Sequence, residues 1–160
     1  MTKSNFYPLL FSACLAASTA LAAEKPQVIP PEHLANYWLL AQAGDANAPN
    51  SGRNLQAPSC AAVSYIVEKD GSTSQAKLER LVPDGDLGKV AVGVVAGMRF
   101  AAAKQNLGKE RVFTYVVIPF NLPDANSQNA ADRAKRARAL AACQLDNFKS
   151  SANDVINIVP

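Results

Sequence analysis

Histidine is nearly missing from this 160-residue chain, which carries a single one, His33. That excludes a multi-histidine metal site and leaves any His-paired nucleophile to be assembled around one residue. His33 stands beside Glu32 at a helix start, where an exposed polar residue is the expected reading. Cysteine is almost as scarce: Cys14, Cys60 and Cys143 are the three, and no two have the C-x-x-C spacing of a zinc or redox motif. No GxGxxG, P-loop or GxSxG segment occurs, so dinucleotide, nucleotide and hydrolase chemistry all lack their local signatures. Asp84 and Asp86 flank Gly85, and turn and N-cap duty accounts for them more simply than paired catalytic carboxylates do. Charged residues make up only 18% of the chain and the net charge is +3, too little to imply a nucleic-acid or anionic-membrane partner. No internal repeat is visible. These absences argue against an enzyme, and no cofactor, metal or small-molecule substrate is expected.

The first 22 residues read as an export signal. Lys3 makes a short positive region, residues 6–17 an apolar stretch, and Ala20-Leu21-Ala22 a small-residue cleavage site. Two rival readings are a weak lipobox ending in Cys14 and an uncleaved anchor over 6–23. The anchor contains Pro8, is dominated by Ala and Ser, and is marginal against the roughly 20 apolar residues a span needs. Export with cleavage near Ala22 is favoured. Once Cys14 leaves with the signal, Cys60 and Cys143 form an even pair in an exported protein, and a disulfide between them is expected. Such a bridge stabilises by roughly 4 to 5 kcal/mol in the chain-entropy model. In a regular helix, however, Cys143 sits about 200° from Leu145, so the bridge would have to reach from the helix's outer side.

Four regions follow from composition and periodicity: the signal 1–22, a helix and loop over 23–58, an α/β unit over 59–123, and a helical extension over 124–160. Residues 24–31 are Pro-rich and extended, and a helix over 31–42 carries Leu34, Tyr37, Trp38 and Ala41 on one stripe. Residues 44–58 read as loop. A second helix over 129–149 shows an apolar stripe of Ala130, Ala134, Ala137, Ala141, Leu145 and Phe148. Arg133, Lys135, Arg136 and Arg138 in its early turns oppose the helix dipole and read chiefly as solvated surface. The tail 155–159 could add a short strand.

The α/β unit is the most informative stretch. Residues 61–68 alternate as a half-buried strand, and Lys69-Asp70-Gly71 makes a turn in which Gly71 supplies positive φ. A second strand runs over 72–82. Leu87, Val90, Ala91, Val94 and Met98 then repeat at helical spacing, and Gly88, Gly93 and Gly97 in that helix imply close packing against the sheet. Phe100 reads as a core plug, and a third strand covers 112–122.

This order resembles the C-terminal domain of the TonB energy-transducer family. The matching words are "VSYIVEKDGS" (63–72), "MRFAAA" (98–103) and "VFTYVVIPFNL" (112–122). The resemblance implies a small α+β fold, a three-stranded antiparallel sheet with a packed helix, here with flanking N- and C-terminal helices. It further implies a periplasmic module that binds a protein partner, such as an outer-membrane receptor segment or envelope protein, by strand addition at a sheet edge. The edge implied is the third strand, with Val112, Thr114, Val116, Ile118, Pro119 and Phe120. Pro119 removes a backbone donor, which fits an edge while weakening it as a template. The family's Tyr-Pro pair before the first strand is missing from 50–60, and neither a long Pro-rich spacer nor a convincing anchor is apparent. The expectation is a TonB-type binding module linked to TonB-dependent transport; the alternative is a structural or assembly subunit of the cell envelope whose binding edge is covered.

Overall fold

The computed structural model describes residues 24–146 apart from Ala48, together with Phe148; the signal 1–22 and the tail 155–159 lie outside the described residues. In chain order the elements are β1 (Gln27–Val28), a 3-10 turn (Pro31–Asn36), β2 (Trp38–Gln42), β3 (Ser59–Val67), β4 (Thr73–Val82), α1 (Leu87–Gly97), β5 (Arg99–Ala102), β6 (Val112–Phe120) and α2 (Ala130–Ala141). All nine residues of β3 are buried. It is the centre of a four-stranded sheet in the order β1-β6-β3-β4, with β1 parallel to β6 and the other neighbours antiparallel.

Both faces of β3 are covered, which corrects its reading as a half-buried strand. On one face Ala61, Val63, Tyr65 and Val67 pack with Leu87, Val90, Ala91 and Val94 of α1. On the other, Cys60, Ala62 and Ile66 meet Phe113, Tyr115, Cys143 and Phe148. Ser64, on that second face, is also buried and donates to the Glu79 carboxylate at 2.7 Å. Alternation predicts how many faces a strand has; it does not reveal that a distant segment will lie over the second one.

The expected three-stranded antiparallel sheet is overturned. β1 adds a fourth, parallel strand, and a separate two-stranded sheet joins β2 to β5. The expected N-terminal helix over 31–42 is corrected too: a short 3-10 turn ends at Asn36 and Trp38–Gln42 is a strand. Tertiary pairing overrides the helical stripe here. Trp38 is 2% exposed and its indole N–H donates to the Glu110 carbonyl at 2.9 Å, while Leu39 and Leu40 stay 50% and 54% exposed. A two-residue strand such as β1 carries no periodicity to read.

In the middle of the chain the turn, α1 and buried Phe100 follow expectation, whereas Arg99–Ala102, not expected as a strand, is β5. Gly71 sits at φ 81°, and a Cβ there would stand 2.0 Å from the Phe100 carbonyl oxygen. Its own carbonyl accepts from the Phe100 N–H at 2.8 Å, and Ser72 bridges Arg99, so the hairpin turn docks onto β5. α1 buries Leu87, Val90, Ala91 and Val94, and Phe100 is buried behind it. Its glycines divide: Gly88 lies against Leu78 of β4 and Gly97 against Gly44 of the preceding loop, but nothing lies within 4 Å of a Cβ added at Gly93. Close packing therefore explains two of the three, and only Gly88 packs against the sheet as expected.

α2 departs most. It ends at Ala141, and Ala130, Ala134, Ala137 and Ala141 are exposed, so the predicted alanine stripe faces outward. The inward side carries Asp132, Arg136, Ala139 and Leu140, all half-buried. Cys143 therefore lies beyond the helix, and the phase objection to the bridge does not apply. Cys60 and Cys143 form the disulfide, with Cα atoms 6.1 Å apart, and both are fully buried.

Candidate functional site

The two long borders of the four-stranded sheet differ. β4 breaks register with β3 twice, between Ala62 and Val63 and between Ser64 and Ile66, and Gln75 takes φ 51°. It also carries Lys77, Glu79 and Arg80. Bulges and charge are the usual protection of an edge against pairing. Arg80 is further engaged, donating to the Ala142 and Gln144 carbonyls at 3.3 and 2.7 Å.

β6 is the other border: β1 pairs with its beginning, and the 3-10 turn Pro31–Asn36 packs near it without a paired strand. Gln27 N–H donates to the Arg111 carbonyl at 2.8 Å and Ile29 N–H to the Phe113 carbonyl at 3.0 Å. Pro30 and Pro31 follow, and they have no N–H to continue the ladder. Backbone polar groups of successive strand residues point to alternate sides. The phase set by Arg111 and Phe113 therefore turns the backbone groups of Tyr115, Val117 and Pro119 outward and those of Thr114, Val116 and Ile118 toward β3. Among the described residues no hydrogen bond reaches the outward backbone groups of Tyr115 or Val117. Pro119 falls at an outward position, so its missing N–H costs the β3–β6 ladder nothing.

This assigns the predicted site residues individually. Val112 lies opposite Gln27 under β1. Thr114, Val116 and Ile118 pair with Tyr65, Val63 and Ala61 of β3, and Phe120 with Ser59; their side chains contribute to one wall of the edge. Val116, Ile118 and Phe120 are half-buried against the α1-side core. The residues that offer backbone outward are Tyr115, Val117 and Pro119, of which only Pro119 was singled out from sequence. Position parity along the strand carried the signal, but its phase needed the location of β1.

The first half of the edge is anchored twice. Arg111, immediately before β6, holds the Glu68 carboxylate through Nε and Nη2 at 2.6 and 2.9 Å and the Glu24 carbonyl through Nη1 at 2.6 Å. The Arg111 guanidinium holds the Glu68 carboxyl below the usual carboxylate range. Behind Tyr115, the ring of Phe148 stacks on Phe113 at 5.2 Å and tilts against Tyr115 at 4.8 Å between centroids. The Tyr115 hydroxyl donates to Gln144 Oε1 at 2.9 Å.

Elsewhere several charged residues hold loops and turns. His33 is exposed on the 3-10 turn. Asp84 accepts from the Arg53 guanidinium and Asp86 from the Arg53 N–H, at 2.8 and 2.7 Å, so both hold the 50–58 loop. Asp86 does occupy the N-cap of α1, but without a side-chain capping bond. Arg133 donates to the Ser127 and Gln128 carbonyls and Arg136 to that of Pro123; these bonds fasten the turn before α2 and explain cations near a helix N-terminus. A groove of about 570 Å³ between the 45–51 loop and α1 is lined by Asp45, Asp86, Lys89 and Gly93 among others. Among the described residues no three His, Cys, Asp or Glu side chains gather to hold a metal ion, and no helix is long and apolar enough to cross a membrane. Compared with protein-family models, curated proteins and solved structures, the chain matches none.

Proposed function

We propose that this chain is an exported protein-binding module that takes up an extended segment of a partner along β6 from Tyr115 to Pro119. The observation that carries the reading is the contrast between the two borders: β4 is bulged and charged, whereas β6 leaves consecutive outward positions unpaired among the described residues. Strand addition at such an edge draws its affinity from main-chain hydrogen bonds and its specificity from the flanking side-chain pockets. The half-buried Val116 and Ile118 on one face and Val117 on the other favour a partner segment that is apolar on both sides. The buried Cys60–Cys143 pair supports an oxidising, extracytoplasmic setting. With the signal-like N-terminus, the periplasm is the compartment proposed. The TonB-type words point to an outer-membrane receptor segment or another envelope protein as the partner, and to a link with TonB-dependent transport.

One observation favours the alternative, a structural or assembly subunit of the envelope with its edge closed: β1 already covers Phe113. Amide hydrogen exchange on the full-length mature chain separates the two. The open edge predicts fast exchange at Tyr115 and Val117 beside slow exchange at Thr114 and Val116. Slow exchange at all four would decide for the closed subunit.

A further inference from the structure

We propose that the segment from Glu24 to Ile29 is a displaceable strap, which keeps the first part of the β6 edge shut until a longer partner strand evicts it. The inference rests on the reading of β6 as a strand-addition edge, and it concerns a different part of that edge.

The strap's hold is narrow. β1 has two residues in register, Gln27 opposite Val112 and Val28 opposite Phe113. Its own donors to β6 are the Gln27 and Ile29 N–H groups, and Pro26, Pro30 and Pro31 on either side can donate nothing. Phe113 N–H donates back to the strap, and the further polar ties lie at the near end: Arg111 to the Glu24 carbonyl at 2.6 Å, Gln27 to the Glu110 carboxylate, and an exposed Lys69–Glu24 pair at 2.7 Å. Exposed pairs of this kind contribute little. Val28 and Ile29 are half-buried and pack from the border, one onto each core, rather than inside either.

What the strap covers is continuous with what it leaves open. Arg111 and Phe113 have the same outward parity as Tyr115, Val117 and Pro119, so releasing the strap extends one unbroken edge toward the Glu68 end. Arg111 would keep its grip on Glu68 throughout, because that pair joins β6 to the end of β3 and not to the strap. A strand that uses only Tyr115 to Pro119 binds without disturbing the strap. One that reaches Arg111 binds the strap-open form alone, and its apparent affinity falls by the fraction of chains in that form.

The test is native-state hydrogen exchange on the full-length mature protein, read at Phe113, whose N–H pairs with the strap, and at Val116, whose N–H pairs with β3. The expected result is local opening: Phe113 exchanges at least about a hundredfold faster than Val116, with a rate nearly independent of low denaturant, while Val116 follows global unfolding. In Arg111→Met, exchange at Phe113 should quicken by about tenfold, as for loss of one charge-assisted bond to the strap, with the ratio of Val116 to the other β3-bonded amides unchanged. Equal rates and equal denaturant dependence at Phe113 and Val116 would overturn the proposal, since the strap would then open only when the whole domain unfolds. Tyr115 and Val117 report the edge reading separately: slow exchange there with fast exchange at Phe113 would refute the open edge and leave the strap standing.

Discussion

Arg111 and Glu68 face each other across the end of the β3–β6 ladder, with Nε 2.6 Å from Oε2 and Nη2 2.9 Å from Oε1. The pair continues the register in which Val67 opposes Val112, and the side chains keep 15% and 26% of their exposure. A two-pronged guanidinium–carboxylate contact is the strong form of an ion pair. Its position means that one arginine closes the sheet end and tethers the β1 segment.

That geometry makes the acid limb of stability a test. Glu68 has its carboxyl held low in the folded chain, first by the hydrogen bonds from Arg111. A depressed folded value stabilises fully above the ordinary glutamate range near pH 4.3, and the benefit is lost as the pH falls through the folded value. Glu68→Gln should therefore lower stability by about 1 kcal/mol at pH 7, a figure kept modest by partial exposure. The deficit should shrink as the pH falls below the ordinary glutamate range, because the benefit is lost as the lowered folded carboxyl protonates. Thermal unfolding of both proteins at pH 7, 5 and 3 measures it, and a deficit constant with pH would contradict the assignment.

The covalent tie between β3 and the segment after α2 gives a second test. Peptide mapping of natively folded protein without reductant should find Cys60 and Cys143 joined; two free thiols would contradict it. Cys143→Ser should cost about 2 to 4 kcal/mol. Loss should be felt first on the face where Phe148 lies over Phe113 and Tyr115, because α2 itself exposes its alanines and holds to the sheet weakly. Quenching or shift of Tyr115 resonances in the variant reads that loss directly.

Trp38 and Ala41 discriminate the observed strand from the helix that the sequence stripe suggests. On a helix both belong to the buried face. In the structure Trp38 is buried and bonded to the Glu110 carbonyl, while Ala41 is exposed. Trp38→Phe should cost about 1 to 2 kcal/mol for the lost bond and the unpaired acceptor. Ala41→Lys should stay within about 0.5 kcal/mol. Chemical denaturation of the two variants decides, and a costly Ala41→Lys would revive the helix.

What was legible in the chain was what local chemistry decides. The Gly71 turn, α1 with Leu87, Val90, Ala91 and Val94 inward, and the identity of β6 all follow from period and turn residues. What was not legible depends on partners far away. Trp38–Gln42 has the spacing of a helix and becomes a strand because Arg99–Ala102 is there to pair with it. Gln27–Val28 becomes a strand only because β6 presents an edge. The α2 stripe was misread because alanine is as compatible with solvent as with a core; Arg136 and Leu140, which face inward, do so for bonds and contacts outside the helix. Of the candidate edge, the strand Val112–Phe120 is legible in the sequence, but which of its residues turn their backbone outward depends on the hydrogen bonds from Gln27 and Ile29.

Pro119 is the position at which the proposed site can be strengthened by one atom group. Its outward parity means that Pro119→Val adds an N–H to the open edge without disturbing the ladder to β3, where Ile118 and Phe120 pair with Ala61 and Ser59. A partner strand reaching that position gains one backbone bond, about 0.5 to 1.5 kcal/mol or a roughly two- to twelvefold tighter complex. The same N–H makes the edge a better template for another copy, so titration with a synthetic extended segment of an outer-membrane receptor must be run alongside sedimentation of the variant alone. Tighter peptide binding with chemical-shift changes centred on Tyr115 and Val117 is the expected outcome. If Pro119→Val alters neither peptide binding nor self-association, the N–H it adds meets no incoming strand, and the edge is not where this protein holds its partner.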